Sequence, residues 1–338
     1  MHLKTPYLLF LGDAPDALAA KVARGIRDWR PGACTGQLRL PGCGTDMDLP
    51  DMDIDAAIAA GAKTLVVGVA NRGGTLSRAW VDVFVEALEK GMDIASGLHE
   101  LLGAVPRLVD TAQRHDRALI DVRIPGVAYP IADGLLRTGR RCLTVGTDCS
   151  VGKMYATLAL ERAMHDRGAA ATFRATGQTG ILITGEGVPL DAVVADFMAG
   201  SIESLTPGAD PGHWDLVEGQ GSLFHASYSG VTLALLHGSA PDALVLCHEP
   251  TRKHMRGLPG YALPSLGRLR TTALDLARVV NPGCEVIGVA VNTAALDAVA
   301  ARELLAGIEG ESGLPSVDPF RDGAGRLADA LIALPLAR

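Results

Sequence analysis

The stretch that most constrains the fold is a glycine-bounded loop at residues 146–154, with the sequence Gly-Thr-Asp-Cys-Ser-Val-Gly-Lys-Met. The apolar run that ends at Val145 predicts a strand, and the run from Tyr155 to Met164 predicts a helix. In a strand–loop–helix unit of this kind, the backbone N–H groups, the helix N-terminus and the lysine all present positive charge to one anion. Residues 146–154, called the phosphate loop below, therefore predict a parallel α/β domain that binds phosphate.

The phosphate loop departs from the usual pattern in two ways. Five residues rather than four separate Gly146 from Gly152, and Met154 stands where a Ser or Thr hydroxyl would normally hold Mg²⁺. The loop is thus suited to hold phosphate and poorly suited to hold a phosphate-bound metal. The residues that we assign to phosphate or cofactor binding here are Gly146, Thr147, Asp148, Cys149, Ser150, Val151, Gly152, Lys153 and Met154.

Chain length and pattern predict two α/β domains. A chain of 338 residues exceeds what one core usually supports, and the proline-bearing stretch 124–130 is a natural link, so we assign domains to residues 1–130 and 131–338. Strands alternate with helices in the first domain, which predicts a Rossmann-like parallel sheet. The helix that carries Trp80, Phe84 and Leu88 at intervals of four should turn these side chains into the core.

Composition excludes several classes of partner. The net charge of −7 is spread evenly, so neither half offers a basic face for nucleic acid. The six cysteines form no C-x-x-C pair, and we interpret them as reduced thiols in a cytoplasmic protein. The apolar run Tyr7–Leu11 predicts a first strand rather than a signal peptide, and no run is long enough to cross a membrane. We expect a small-molecule substrate and a homo-oligomer.

Polar residues follow one predicted strand after another. Glu218 ends the strand 213–218 and precedes Gly219-Gln220-Gly221, and an acid in this position beside a phosphate loop usually meets Mg²⁺. General-base or electrostatic work without a metal is the alternative role for Glu218. His225, His248 and Arg252 follow later in the domain, and each alone could be structural. Their convergence at the carboxyl edge of a parallel sheet favours a site.

Two more strand ends predict ligand loops. The strand 64–69 runs into Asn71-Arg72-Gly73, and a strand ending at Ala175 opens onto the polar glycine loop 176–180. The second loop is followed by a predicted helix that carries Asp191 and Asp196.

Part of the second domain resembles the dethiobiotin synthetase branch of P-loop proteins. The likeness rests on the phosphate loop, on Val217-Glu218-Gly219 and on Val289–Asn292. It implies that Lys153 holds phosphate, that Glu218 helps to hold Mg²⁺, and that Asn292 meets the nucleotide base. Met154 replaces the threonine of that branch.

A second resemblance covers nearly the whole chain. Its motifs are Val69–Gly74, Ser96–Glu100, the phosphate loop, Ala175–Gly180, Trp214–Ser222, Tyr228–Thr232 and Leu236–Ser239. These are similar to a family long filed as a domain of unknown function and since tied to D-glutamate N-acetyltransferase. The resemblance implies transfer of an acetyl group from acetyl-CoA to the amine of D-glutamate. The phosphate loop would then hold CoA phosphates without moving a phosphoryl group, so a missing Mg²⁺ ligand is tolerable.

The acetyltransferase interpretation assigns roles to the remaining residues. Glu218 and His225 are the candidate bases, and the backbone of 176–180 or 219–221 would stabilise the thioester oxyanion. Arg72, Arg174 and Arg252 are the candidate clamps for the substrate carboxylates. The full substrate-binding set is Asn71, Arg72, Gly73, Arg174, Gln178, Thr179 and Arg252. No metal ligand is assigned, although Mg²⁺ is left open.

Two other functions remain open from the sequence. One is an ATP- and Mg²⁺-dependent ligase or kinase of dethiobiotin synthetase type, against which Met154 argues. The other is a nucleotide- or CoA-binding protein without turnover, which the many polar strand ends disfavour.

Overall fold

The computed structural model describes residues 3–70, 74–125 and 127–335. The chain forms two compact units, one made of Met1–Gly126 with Gln178–Ala192 and the other of Val127–Gly177 with Val193–Arg338. Both are parallel-sheet α/β units, as predicted. The segment 178–192 belongs to the first unit although it lies far along the chain, and the linear assignment 1–130 and 131–338 stays a prediction.

Elements are numbered along the whole chain. The strands are β1 Tyr7–Gly12, β2 Cys34–Arg39, β3 Thr64–Val67, β4 Asp93–Ser96, β5 Leu119–Asp121, β6 Arg140–Gly146, β7 Ala171–Arg174, β8 Trp214–Val217, β9 Ala243–His248, β10 Glu285–Val291 and β11 Ser316–Val317. The helices are α1 Lys21–Trp29, α2 Ile54–Ala59, α3 Arg78–Glu89, α4 Pro106–Arg114, α5 Lys153–His165, α6 Gln178–Thr184, α7 Met198–Leu205, α8 Ser229–Ser239, α9 Leu266–Ala277, α10 Ala298–Ser312 and α11 Gly325–Ala333.

The first unit contains a five-stranded parallel sheet in the order β2-β1-β3-β4-β5, an order found in doubly wound folds. Its core confirms the predicted helix face, because Trp80, Phe84 and Leu88 of α3 are all buried. Phe10 of β1 packs edge-on against Trp80 and Phe84, with ring centroids 5.4 and 5.0 Å apart. The Ser77 hydroxyl accepts a hydrogen bond from the N–H of Trp80 and fixes the start of α3.

The segment 178–192 differs from its predicted structure. The glycine loop expected at 176–180 ends early, because α6 begins at Gln178. Burial of the apolar run 181–183 against α1 outweighs the low helix propensity of Gly180. The helix expected to carry Asp191 and Asp196 is instead two short 3-10 turns.

The second unit contains a six-stranded parallel sheet in the order β11-β10-β9-β6-β8-β7. The phosphate loop leaves the central strand β6, which pairs with β8 on one side and β9 on the other. In a parallel sheet, the loops that follow neighbouring strands meet at the carboxyl edge. The loops after β7, β8, β9 and β10 therefore surround the phosphate loop.

Candidate active site

The backbone of the phosphate loop is shaped to receive an anion. Ser150 and Gly152 both adopt the left-handed conformation, with φ of 55° and 99°. Alternating backbone handedness of this kind turns successive N–H groups towards one point, and Gly152 directly precedes the 13-residue helix α5. A Cβ added at Gly146 would lie 2.7 Å from Val151 Cγ2 and 3.0 Å from Lys153 Nζ, so glycine is required there.

Lys153 is the one buried lysine that this edge of the sheet presents among the described residues. Its ammonium donates a hydrogen bond to the backbone carbonyl of Asp148 at 2.9 Å, which folds the side chain over the loop. Burial lowers the pKa of the Lys153 ammonium below its ordinary value. A phosphate beside Nζ would raise this pKa again, so anion binding and protonation of Lys153 should be coupled.

A fully buried carboxylate, Asp148, braces the phosphate loop from within. It accepts hydrogen bonds from Arg252 Nη1 at 2.7 Å, from the N–H of Arg256 at 2.8 Å and from the N–H of Cys149 at 2.6 Å. Burial by itself would raise the pKa of the Asp148 carboxyl, but these three donors outweigh burial and the pKa is lowered. Asp148 is therefore held as an anion whose charge is offset locally.

Arg252 lies in the loop between β9 and α9, and its guanidinium contacts the phosphate loop. Besides its bond to Asp148, it donates to the carbonyls of Cys149 at 2.6 Å and Ser150 at 3.1 Å. Arg256, from the same loop, also donates to the Ser150 hydroxyl. The guanidinium proposed from the sequence as a carboxylate clamp is thus placed where it fixes the conformation of the phosphate loop.

Glu218 lies directly after β8 with a buried, fixed carboxylate. Its Oε2 accepts hydrogen bonds from the N–H of Thr176 at 2.9 Å and of Gly177 at 3.1 Å, which tie it to the loop after β7. Those two N–H groups are consequently committed to Glu218. The next residue, Gly219, donates its N–H to the Thr144 hydroxyl at 2.9 Å. A Cβ on Gly219 would lie 1.7 Å from the Thr144 carbonyl oxygen, so no other residue fits there.

His225 is buried, and both of its ring nitrogens are hydrogen bonded. Nδ1 accepts from the N–H of Ser227 at 3.1 Å, so the proton must lie on Nε2, which donates to the carbonyl of Arg256 at 3.0 Å. The ring also packs against Tyr228, with centroids 4.6 Å apart. His225 joins the loop after β8 to the loop after β9, and it would have to give up one of these bonds to act as a base.

Asp148, Cys149 and His225 are a cluster whose composition could suit a metal ion, since one potential ligand atom from each lies within 4.8 Å of the others. The contacts of these residues do not fit that role. The Asp148 oxygens and the His225 nitrogens are already engaged, and burial raises the pKa of the Cys149 thiol, which disfavours a thiolate ligand. The thioether of Met154 is likewise a poor ligand for Mg²⁺.

Asn292 and His248 join the phosphate loop from neighbouring strand ends. The Cβ of Asn292 lies 3.7 Å from the position of a Cβ built on Gly152. The N–H of Asn292 donates to the carbonyl of His248 at 2.8 Å, and His248 Nδ1 is hydrogen bonded to the Thr147 hydroxyl at 3.0 Å. Burial lowers the pKa of the His248 imidazole, so the ring favours its neutral form.

Among the described residues, the contacts of the other predicted substrate residues lie within their own units. Arg174 Nε donates to the buried carboxylate of Asp215 at 2.6 Å, within the second unit. Gln178 belongs to the first unit, where the N–H of its side-chain amide donates to the Gly97 carbonyl at 2.6 Å. Thr179 is half-buried on α6. The predicted residues Asn71, Arg72 and Gly73 lie outside the described residues.

Sequence reasoning named Arg252 of the β9–α9 loop but missed a second link, through Arg256, between this loop and the phosphate loop. The N–H of Arg256 donates to the carboxylate of Asp148, which lies 108 residues away in the chain. The run of basic residues in 252–256 was the available signal, because such a run after a central strand falls at the carboxyl edge.

Among the described residues, no helix has the length and apolar character needed to cross a membrane.

Both units contain residues that match domains of a known protein family. Residues 130–328 match the P-loop domain, and residues 38–125 the Rossmann-like domain, of a family described as a domain of unknown function, DUF1611. A D-glutamate N-acetyltransferase of Tritonibacter scottomollicae is 64% identical over 332 residues, which are 98% of this chain and 100% of that protein. A protein of the same name from a Pseudoalteromonas species is 46% identical over 333 residues, covering 98% and 99%. The crystal structure of a DUF1611 family protein from Anabaena variabilis superposes with a TM-score of 0.88 at 31% identity, covering 98% of this chain and 100% of that one.

Proposed function

This chain belongs to the DUF1611 family, and from that premise we propose that it transfers the acetyl group of acetyl-CoA to the amine of D-glutamate. The observation that carries the proposal is the full-length similarity to two proteins named D-glutamate N-acetyltransferase, at 64% and 46% identity. The reaction class and the acceptor come from those names. The donor is inferred from the chemistry of the phosphate loop.

The phosphate loop supports acetyl-CoA as the donor. CoA carries a pyrophosphate and a ribose phosphate, which suit the left-handed turns at Ser150 and Gly152, the start of α5 and the buried Lys153. Because residue 154 is Met, the loop lacks the hydroxyl that would bind Mg²⁺ during phosphoryl transfer, and acetyl transfer does not need this ligand. In this account the phosphates serve to anchor the donor and take no part in the chemistry.

Glu218 is the base that we propose for the acceptor amine. An ammonium group is not a nucleophile, so a proton must leave before nitrogen attacks the thioester carbonyl. The N–H groups of Thr176 and Gly177 orient the Glu218 carboxylate without protonating it. His225 is the second candidate, but both of its nitrogens bond to backbone groups. Glu218 is therefore preferred, because a carboxylate can accept a proton while it keeps its backbone hydrogen bonds.

The oxyanion donors can be assigned from the hydrogen bonds of the same two loops. Since Thr176, Gly177 and Gly219 already donate their N–H groups, we propose the N–H groups of Gln220 and Gly221 for the thioester oxyanion.

The cation for the substrate carboxylates is proposed to be Arg72. Arg174 and Arg252 each pair with a buried aspartate, so engaging a substrate would break an existing ion pair. Replacement of Arg72 by alanine should raise the KM for D-glutamate more than the KM for acetyl-CoA.

The experiment is an acetylation assay on the full-length chain, with D- and L-glutamate as acceptors. Release of the CoA thiol and formation of N-acetylglutamate should match in amount, without ATP, and should favour the D-enantiomer. Glu218→Gln should lower kcat by about 100- to 10,000-fold with little change in thermal stability.

Lys153→Met tests the anchoring role of the phosphate loop. It should raise the KM for acetyl-CoA by about 10- to 150-fold, the value of a lost hydrogen bond to a charged group. Lys63→Met, which removes an exposed lysine, is the matched control. Stabilisation by ATP–Mg²⁺ but not by CoA would instead support the ligase or kinase alternative.

A further inference from the structure

Phe320 is an exposed aromatic residue that contacts α5, the helix that begins at the end of the phosphate loop. It follows β11 in the chain, and 71% of its surface is exposed. Its ring lies 5.8 Å from that of Tyr155, centroid to centroid, and Tyr155 is in the first turn of α5, two residues after Lys153. A phenyl ring exposed to this degree next to a phosphate site has a face available for stacking.

The loop that carries Phe320 is held in place by a buried carboxylate. Asp318 Oδ1 accepts hydrogen bonds from the N–H of Phe320 at 3.0 Å and of Arg321 at 3.1 Å. Asp318 Oδ2 accepts from the N–H of Thr293 at 3.0 Å and from the Thr293 hydroxyl. Asp318 itself is only 4% exposed. The backbone at Phe320 is therefore held by hydrogen bonds, and the loop that carries the Phe320 ring has a defined conformation.

The same contacts place Phe320 near Asn292. Arg321 donates to the carbonyls of Thr293 at 3.2 Å and Leu296 at 2.9 Å, which joins the loop after β11 to the loop after β10. Asn292 directly precedes Thr293 and approaches Gly152 of the phosphate loop. A phosphate loop, a side-chain amide and an aromatic pair thus lie along one edge of the sheet.

We propose that Phe320, supported by the Tyr155 ring inclined at 56° to it, is a stacking platform for the adenine base of the bound donor, with the Asn292 amide at the edge of the base. Acetyl-CoA as the donor is part of the proposed function, but the platform would serve any adenine nucleotide whose phosphates reach the phosphate loop. Stacking of a base on an aromatic side chain contributes a factor of about 5 to 150 in affinity.

The test compares two donors, acetyl-CoA and acetyl-pantetheine, which lacks adenine. Phe320→Ala should lower the preference of kcat/KM for acetyl-CoA over acetyl-pantetheine by about tenfold or more, through the KM for acetyl-CoA. Phe320→Trp should retain the preference, because it keeps a stacking face. Val299→Ala, which truncates another exposed apolar residue of the same unit, is the matched control.

Direct binding separates this inference from the proposed function. Calorimetry with ADP and CoA should show weaker binding of both to Phe320→Ala than to the wild type by about tenfold, whether or not acetyl transfer is detected. Unchanged affinities, an equal loss for both donors, or failure of the wild type to bind either nucleotide would overturn the inference. Absence of acetyl transfer with these affinity differences intact would refute only the proposed acetylation.

Discussion

Replacement of Arg252 by alanine tests whether the phosphate loop is held by its buried ion pair. The change leaves the carboxylate of Asp148, which is fully buried, with two backbone N–H donors and no cation bonded to it. Breaking a buried pair from one side costs about 3–5 kcal/mol, and the remaining donors favour the lower end of that range. For a unit of this size each kcal/mol shifts Tm by about 2–4 °C, so we expect a fall of roughly 6–12 °C.

The assay is a double-mutant cycle followed by thermal unfolding and by the KM for acetyl-CoA. Asp148→Asn together with Arg252→Ala should recover much of the stability that Arg252→Ala loses, because no unpaired charge is left buried. The KM for acetyl-CoA should rise in Arg252→Ala, since Arg252 also holds the carbonyls of Cys149 and Ser150. Arg252→Lys should restore the charge but only part of this geometry.

The control is Arg326→Ala, which removes an exposed ion pair with Glu309 in the same unit. That change should cost less than about 1 kcal/mol. If Arg252→Ala behaved like Arg326→Ala, or if the two changes at Asp148 and Arg252 were simply additive, the bracing role of the pair would be wrong.

Three further predictions follow from the same contacts. Because the folded-state pKa of Asp148 is lowered, its contribution is present above the unfolded carboxyl pKa of about 3.9 and is lost as pH falls through the folded value. Denaturation at a series of pH values should show a larger loss in the wild type than in Asp148→Asn, in which only the other carboxylates with lowered pKa values titrate. His225→Ala should cost about 1–3 kcal/mol, because Ser227 and Arg256 lose their partner, and should lower kcat far less than Glu218→Gln; the reverse order would make His225 the base. EDTA should leave acetyl transfer unchanged, and a rate that required added Mg²⁺ would contradict the role given to Met154.

The local patterns of the sequence predicted much of the fold. The phosphate loop falls between β6 and α5 because its glycines and lysine are contiguous in the chain, and the α3 face follows from the spacing of its aromatic residues. Strand β2 was not identified, since its sequence Cys-Thr-Gly-Gln-Leu-Arg lacks clear alternation. Its pairing with the buried strand β1 supplies what local propensity does not.

The candidate site was less predictable because its contacts are distant in the chain. The Arg252–Asp148 ion pair joins residues 104 apart, and nothing in the local sequence distinguishes an arginine that braces a loop from one that binds a carboxylate. Likewise, only the partners of His225 show that both of its nitrogens are engaged. The positions of these residues after successive strands predicted that they lie at one edge of the sheet. Their hydrogen bonds then distinguished the residues that stabilise loops from those that could take part in catalysis.

The most direct test of the account is one measurement of acetyl transfer from acetyl-CoA to D-glutamate by the full-length chain, without ATP and with EDTA present. We predict that N-acetyl-D-glutamate and CoA form in equal amounts, and that Lys153→Met loses activity at low but not at saturating acetyl-CoA. Absence of product under these conditions, with product appearing only when ATP and Mg²⁺ are supplied, would contradict the claim that the phosphate loop anchors a donor whose phosphates do not react.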